Sequence, residues 1–144
     1  MSFRWSAQAT RTTSAVALSA LLLASAAKHF RTPRFYYPVV PDYLCRMDEP
    51  GSRTNGPLAV MSREEWIATS GLLEVAVGVG FLIPATRKVA ADATTAMFAA
   101  FLAGHIDALR RAYGPKGTAA ERRIHTVRLP LQIPLILWSW SLRK

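Results

Sequence analysis

The sequence predicts an all-α integral membrane protein, a bundle of four membrane-spanning helices. Three observations lead there. Charge is missing from residues 12–27, 93–104 and 129–142, and is reduced to Glu74 alone between Trp66 and Ala85. Hydrophobic residues make up 51% of the 144, although mean hydropathy is only +0.15. The 18 Lys and Arg, against 9 Asp and Glu, crowd between the apolar stretches. A helix packed in water keeps charge along one face at a period of 3.6 residues. Runs that are apolar or small on every face read instead as helices solvated by lipid.

The charge-free windows are shorter than the roughly 20 helical residues that cross a hydrocarbon core of about 30 Å. Capping signals lengthen them. Ser62-Arg-Glu-Glu65 and Thr118-Ala-Ala-Glu121 both fit the S/T-x-x-E box that starts a helix. The first helix covers 12–27 and ends on Lys28 and His29. The second runs over about 63–83 and is stopped by Pro84. The third runs over about 87–113 and is stopped by Gly114-Pro115, and the fourth over about 119–142. Trp66, Trp138, Trp140 and Tyr113 then fall at the interfaces, where amphipathic rings collect. Ala24-Ser25-Ala26 also resembles a signal-peptidase site. The apolar spans that follow it commit the chain to the membrane whether or not the first is removed.

Lipid provides no hydrophobic drive between helices, so small residues and interhelical hydrogen bonds must hold a bundle together. Gly71, Glu74 and Gly78 share one face of the second helix. Ala91, Thr95, Ala99 and Ala103 form a stripe on the third, with Ala96, Ala100 and Gly104 beside it. Pro130 and Pro134 free the carbonyls of Thr126 and Pro130 in the fourth, with Arg128 and Gln132 as nearby donors. The whole chain, 1–144, reads as one domain with a loop at about 31–61. Within it, Phe35 to Tyr43 is aromatic and proline-rich and is expected over the bundle end, and residues 45–57 read as a mobile polar loop.

Four alternating spans bring the polar residues to one end. The first helix ends there with His29, the second begins there and carries Glu74, the third ends there with His105 and Asp107, and the fourth begins there with Arg128 and Gln132. Asp92 belongs to the opposite end and is expected to pair with Lys88 one turn away. A carboxylate inside the bilayer costs about 3 kcal/mol unless paired or protonated, so Glu74 calls for a partner in Arg128 or a histidine. Two readings follow. The cluster is a polar pocket for a head group, a quinone or a proton, or it is a structural ion pair between helices.

The sequence excludes several classes. One cysteine, Cys45, allows neither an internal disulfide nor a Cys-rich metal site. No HxxxH or ExxH spacing suggests a metal, and no nucleotide-binding or nucleophile-elbow motif appears. Basic residues flank apolar spans instead of forming a stripe, which suits anionic lipid and not nucleic acid. Twelve of the 18 cations fall on the polar end, putting it in the cytoplasm by the positive-inside rule, while Arg4 and Arg11 before the first span argue the reverse.

His29-Phe30, Pro33, Tyr36, Val40-Pro41 and Leu44 resemble the HF-x-x-P…VP-x-L stretch that follows the first span of the DoxX family. Ser70-Gly71-x-x-Glu74-x-x-x-Gly78 and Gly80-Phe-Leu-Ile-Pro84-Ala-Thr86-Arg87-Lys-Val-Ala90 resemble its second and third spans, and Arg128-Leu-Pro-Leu-Gln132 its fourth. The order agrees over residues 28–140. Two departures stand out: a longer loop at 46–61, and Gly104-His105-Ile106 where relatives tend to carry Ala-Asn-Ile. The resemblance implies a multi-pass protein of the bacterial inner membrane, and an accessory role beside a membrane oxidoreductase or in a homo-oligomer. The chain has no catalytic motif of its own. Without cysteine pairs, haem-ligand pairs or nucleotide motifs, any redox cofactor must come from a partner or be a diffusible quinone. The alternative is a small-molecule or lipid carrier, or an assembly factor without redox chemistry.

Overall fold

The computed structural model describes residues 6–46 and 56–144. They form four long helices: α1 (Ala7–Arg31), α2 (Arg63–Leu82), α3 (Arg87–Ala112) and α4 (Ala119–Ser141). Short 3₁₀ turns at Pro33–Val39 and Asp42–Leu44 lie between α1 and α2, and another at Pro84–Thr86 joins α2 to α3. Among the described residues the sole β feature is one isolated bridge, Cys45 to Met61. Most of the loop expected to be mobile lies outside the described residues.

The caps act as the sequence anticipates. Ser62 Oγ accepts from the Glu65 amide while the Glu65 carboxylate accepts from the Ser62 amide, and Thr118 and Glu121 repeat the arrangement. Each box satisfies two donors that the helix start would otherwise orphan. Ser6 caps α1 through the Ala9 amide at 3.1 Å, so α1 starts well before its apolar window.

Three helical stretches are long and apolar enough to cross a membrane: Ala7–Arg31, Arg63–Leu82 and Pro84–Ala112. Only 33%, 33% and 39% of their most apolar windows are buried within the protein. The rest presents large apolar side chains outward, among them Leu72, Val79, Leu82 and Val89. Helix α4 is not one of the three. Its first half carries Glu121, Arg122, Arg123 and Arg128, which shorten the apolar stretch.

α1 packs chiefly on α2, α2 on α3, and α3 on α4. The apolar core lies at the end away from the polar residues: Leu18 and Leu22 of α1, Val77 and Phe81 of α2, and Met97 and Phe98 of α3 join one cluster. Trp138 Nε1 donates to Ser14 Oγ at 2.8 Å, tying α4 to α1. Close approach of α1 and α2 depends on glycine. A Cβ at Gly78 would sit 3.1 Å from Leu23, and Ser19 Oγ donates to the Gly78 carbonyl at 2.7 Å.

Two expectations need correction. On α3, Ala96, Ala99, Ala100 and Ala103 are exposed, and the packed face runs through Ala91, Thr94, Met97, Phe98, Gly104 and His105. Spacing alone cannot tell a small-residue stripe that packs from one that faces outward. Asp92 pairs with Arg143 beyond the end of α4, not with Lys88. The α3–α4 hairpin brings those two ends together, and a tertiary cation displaces the local one.

Candidate functional site

Glu74 sits on the third turn of α2 and is 3% exposed. Gly71, one turn earlier, makes room for α1: a Cβ there would lie 3.0 Å from His29 Cβ and from the Phe30 ring. That proximity presents Ser25 and His29, successive turns of α1, to the Glu74 carboxylate. Ser25 Oγ donates to Oε1 at 3.1 Å. His29 Nδ1 lies 3.2 Å from Oε2. The same nitrogen lies 2.9 Å from the Ser25 carbonyl. Both neighbours of Nδ1 are acceptors, so that nitrogen carries the proton. Its hydrogen is directed at the carbonyl, and Oε2 has an electrostatic neighbour but no hydrogen bond.

The segment after α1 folds over this pair. Tyr36 stacks on His29 with centroids 3.6 Å apart and ring planes 18° apart. Its hydroxyl lies 3.2 Å from Ser25 Oγ and 3.3 Å from the Ser25 carbonyl. Burial pushes the Tyr36 phenol above its ordinary value, so it stays a donor through the neutral range. Phe35 packs edge-on to Tyr36 and receives two cations, Lys28 Nζ at 3.6 Å and the Arg128 guanidinium at 4.6 Å from its centroid.

This cap is anchored from α2 and α3. Arg63 donates to the carbonyls of Tyr37 at 2.6 Å and Val40 at 2.7 Å and pairs with Asp42. Trp66 Nε1 donates to the Leu44 carbonyl at 2.6 Å, and Arg111 to the Pro38 carbonyl at 2.5 Å. Tyr37 bonds Glu64, which raises its phenol above the ordinary value. On α3, Gly104 is a position that only glycine fills, because a Cβ would lie 2.1 Å from the Val39 carbonyl oxygen.

Beneath the cap lies a cavity of about 300 Å³, at the small end of the roughly 300–1,000 Å³ usual for ligand sites. His29, Glu74, His105, Arg128 and Gln132 all line it, with Ser25 and Ser70. Its apolar wall is Phe35, Phe98, Phe101, Leu131 and Leu135. His105 Nδ1 and Gln132 Oε1 are buried without hydrogen-bond partners, as is Glu74 Oε2. Arg128 touches Phe35 but is not within ion-pair distance of Glu74, so the carboxylate partner is His29. The histidine is the nearer group because it shares the tight α1–α2 seam, whereas α4 is reached only across the cavity.

Asp107 is not part of this cavity. It pairs with Arg111 one turn on, at 2.9 Å, and lines a separate cleft at the α3–α4 turn. Two residues beyond His105 on a helix is about 200° around, the opposite face. Ser25, Phe35, Tyr36, Phe98 and Phe101 are site residues that motif reading missed. Ser25 carried one usable signal, its place four residues before His29 on the same helix face. Cys45 lies outside the cavity, its thiol donating to the Pro41 carbonyl at 3.5 Å.

A second, apolar groove adjoins the cavity and shares Val39, Val40, Ser70 and Phe101 with it. It continues past Leu44, Trp66, Leu73 and Met97 between α2 and α3.

Residues 18–143 match a family model described as Domain of unknown function (DUF8561). No curated protein and no solved structure matches the chain.

Proposed function

We propose that this chain, which belongs to the DUF8561 family, is a multi-pass membrane protein that binds an amphipathic small molecule of the quinone class under its aromatic cap. The observation that carries the reading is the convergence of unpartnered polar atoms, His105 Nδ1, Gln132 Oε1 and Glu74 Oε2, on a cavity walled by Phe35, Phe98 and Phe101. Buried polar groups are ordinarily satisfied. A planar ring bearing carbonyl or hydroxyl oxygens supplies the partners and fills the space between the aromatic side chains. The Arg128 guanidinium, held at the wall by Phe35, is a donor for a carbonyl oxygen. The adjoining apolar groove accommodates an isoprenoid or acyl tail.

The membrane setting is supported by the three span-length helices and by their outward apolar faces. α4 is proposed as the fourth span. Val127, Leu131, Ile133, Leu137 and Trp140 are all exposed along it, and its charges gather at one end, where long side chains reach the headgroups. The resemblance to the DoxX family adds the bacterial inner membrane and an accessory place beside a membrane oxidoreductase. Glu74, His29 and Tyr36 then act as a proton-bearing set next to the bound ring, with no electron transfer assigned to the chain itself.

The test is titration of the detergent-purified protein with a short-tailed ubiquinone analogue, followed by quenching of its tyrosine and tryptophan fluorescence. Saturable quenching is expected, weakened about tenfold by Gln132→Leu and His105→Phe, each of which removes one hydrogen bond in a buried site. Non-saturable quenching, identical in the two variants, refutes the quinone reading. Release of a phospholipid or another solute from the solvent-extracted protein, with no quinone binding, favours a carrier instead.

A further inference from the structure

The cleft at the α3–α4 turn is separate from the aromatic-capped cavity and lies on the same end of the molecule. It measures about 620 Å³ and is lined by Arg110, Arg111, Lys116, Asp107, Glu121 and His125 among others. Both carboxylates are already engaged. Asp107 pairs with Arg111, and Glu121 accepts from the Thr118 amide at 2.8 Å and hydroxyl at 3.0 Å as part of the α4 cap. Arg111 is engaged as well, with Asp107 and the Pro38 carbonyl. Arg110 and Lys116 are exposed, and neither has an ion-pair or hydrogen-bond partner among the described residues.

The inner wall carries the second observation. His125, on the second turn of α4, is 4% exposed, and its Nδ1 has no hydrogen-bond partner. His125 lines the cleft, and a buried ring nitrogen without a partner is a candidate recognition group. Around it stand the free cations and the amide-rich start of α4, whose dipole favours negative charge. Arg122 adds charge behind the turn, its guanidinium held by the Ala112 and Gly117 carbonyls. Cationic pockets between helices at a membrane surface take anionic headgroups.

We propose that this cleft binds a phosphate group, with the His125 imidazole as the buried donor and Arg110 and Lys116 as the charged mouth. The phosphate is the headgroup of an anionic phospholipid or a free phosphate ester. The lipid source rests on the membrane reading above; the phosphate chemistry does not.

The experiment is native mass spectrometry of the full chain in mild detergent, offered phosphatidylglycerol or phosphatidylcholine, together with calorimetric titration of inorganic phosphate. Phosphatidylglycerol is expected to be retained about tenfold better than phosphatidylcholine. Arg110→Ala with Lys116→Ala is expected to abolish that preference. Arg31→Ala with Arg34→Ala removes the same charge from exposed positions on the same end and is expected to leave it intact. His125→Phe, which keeps an aromatic ring in the buried position, is expected to weaken retention with the cations still present. Binding of inorganic phosphate, lost in the Arg110/Lys116 variant but without lipid preference, assigns the site to a soluble ester. Equal loss in both double variants shows a diffuse surface charge and overturns the proposal. So does equal retention of the two lipids without phosphate binding. A chain that stays dispersed without detergent removes only the lipid source and leaves the phosphate titration to decide.

Discussion

His29 Nδ1 stands 3.2 Å from Glu74 Oε2 at the seam between α1 and α2, with both side chains almost wholly buried. The pair is locked by Ser25, which contacts both members, and by the Tyr36 ring stacked over the imidazole. Burial disfavours the charged form of both groups, so hydrogen bonds and ring stacking, not a full ion pair, hold them together. Leaving a buried donor or acceptor unpaired costs about 1–3 kcal/mol, whereas a substitution that keeps the bond costs less. His29→Phe removes the donor to the Ser25 carbonyl and is therefore expected to lower the thermal midpoint in detergent by more than Glu74→Gln. Glu74→Gln, which keeps an acceptor for Ser25, is expected to cost about 1 kcal/mol. Equal losses in the two variants would show that the His29–Ser25 bond is not what fixes this seam.

The cap over the cavity depends on the bare Cα of Gly104. Gly104→Ala places a methyl 2.1 Å from the Val39 carbonyl oxygen, so backbone must shift. A cost of about 1–3 kcal/mol is expected from overpacking of this kind. The specific signature is faster hydrogen exchange at the Val40 and Leu44 amides, which are bonded to the Tyr37 and Pro41 carbonyls. Exchange in the middle of α1 is expected to stay as it is. Unchanged exchange at Val40 and Leu44 would mean that the segment is not seated on α3.

Cys45 offers a pH test at the edge of the cap. Burial pushes its thiol above the ordinary value, and the nucleophile is the thiolate. Alkylation by a maleimide is expected to be slow at neutral pH, rising with a midpoint more alkaline than that of a free thiol. Trp66→Phe removes the indole donor from the Leu44 carbonyl. Loosening the cap there is expected to expose the thiol, shift the midpoint down toward the free-thiol value and accelerate alkylation. A midpoint at or below the free-thiol value in the unsubstituted protein would contradict the half-buried placement.

Local chemistry was legible because it is written in short spacings. The two capping boxes and the stops at Pro84 and Gly114-Pro115 depend on neighbours within one helical turn. The clustering of His29, Glu74, His105, Arg128 and Gln132 was also legible, because four antiparallel helices fix which ends meet. Asp107 was misplaced for a reason of phase: the end of a helix is set by residue number, but its face by angle, and two residues reverse it.

Pairings across helices were not legible. Asp92 had Lys88 one turn away and took Arg143 from another helix; Glu74 had Arg128 and His29 as candidates and took the one sharing its tightest seam. The aromatic cap followed the same rule, since its carbonyls are held by Arg63, Trp66 and Arg111 from two helices far along the chain.

By itself the sequence determined that this chain is helical, where α2, α3 and α4 start and stop, and that its ionisable residues avoid the apolar stretches. These depend on hydrogen bonding within a turn and on the transfer cost of charge, both properties of a residue and its near neighbours. Only the tertiary structure decided which carboxylate met which cation, which small residues packed and which faced outward, and that Phe35 and Tyr36 close a cavity. Those outcomes depend on helix rotation and on the distance between backbones, set by the contacts of Gly71, Gly78 and Gly104 with residues remote in the chain.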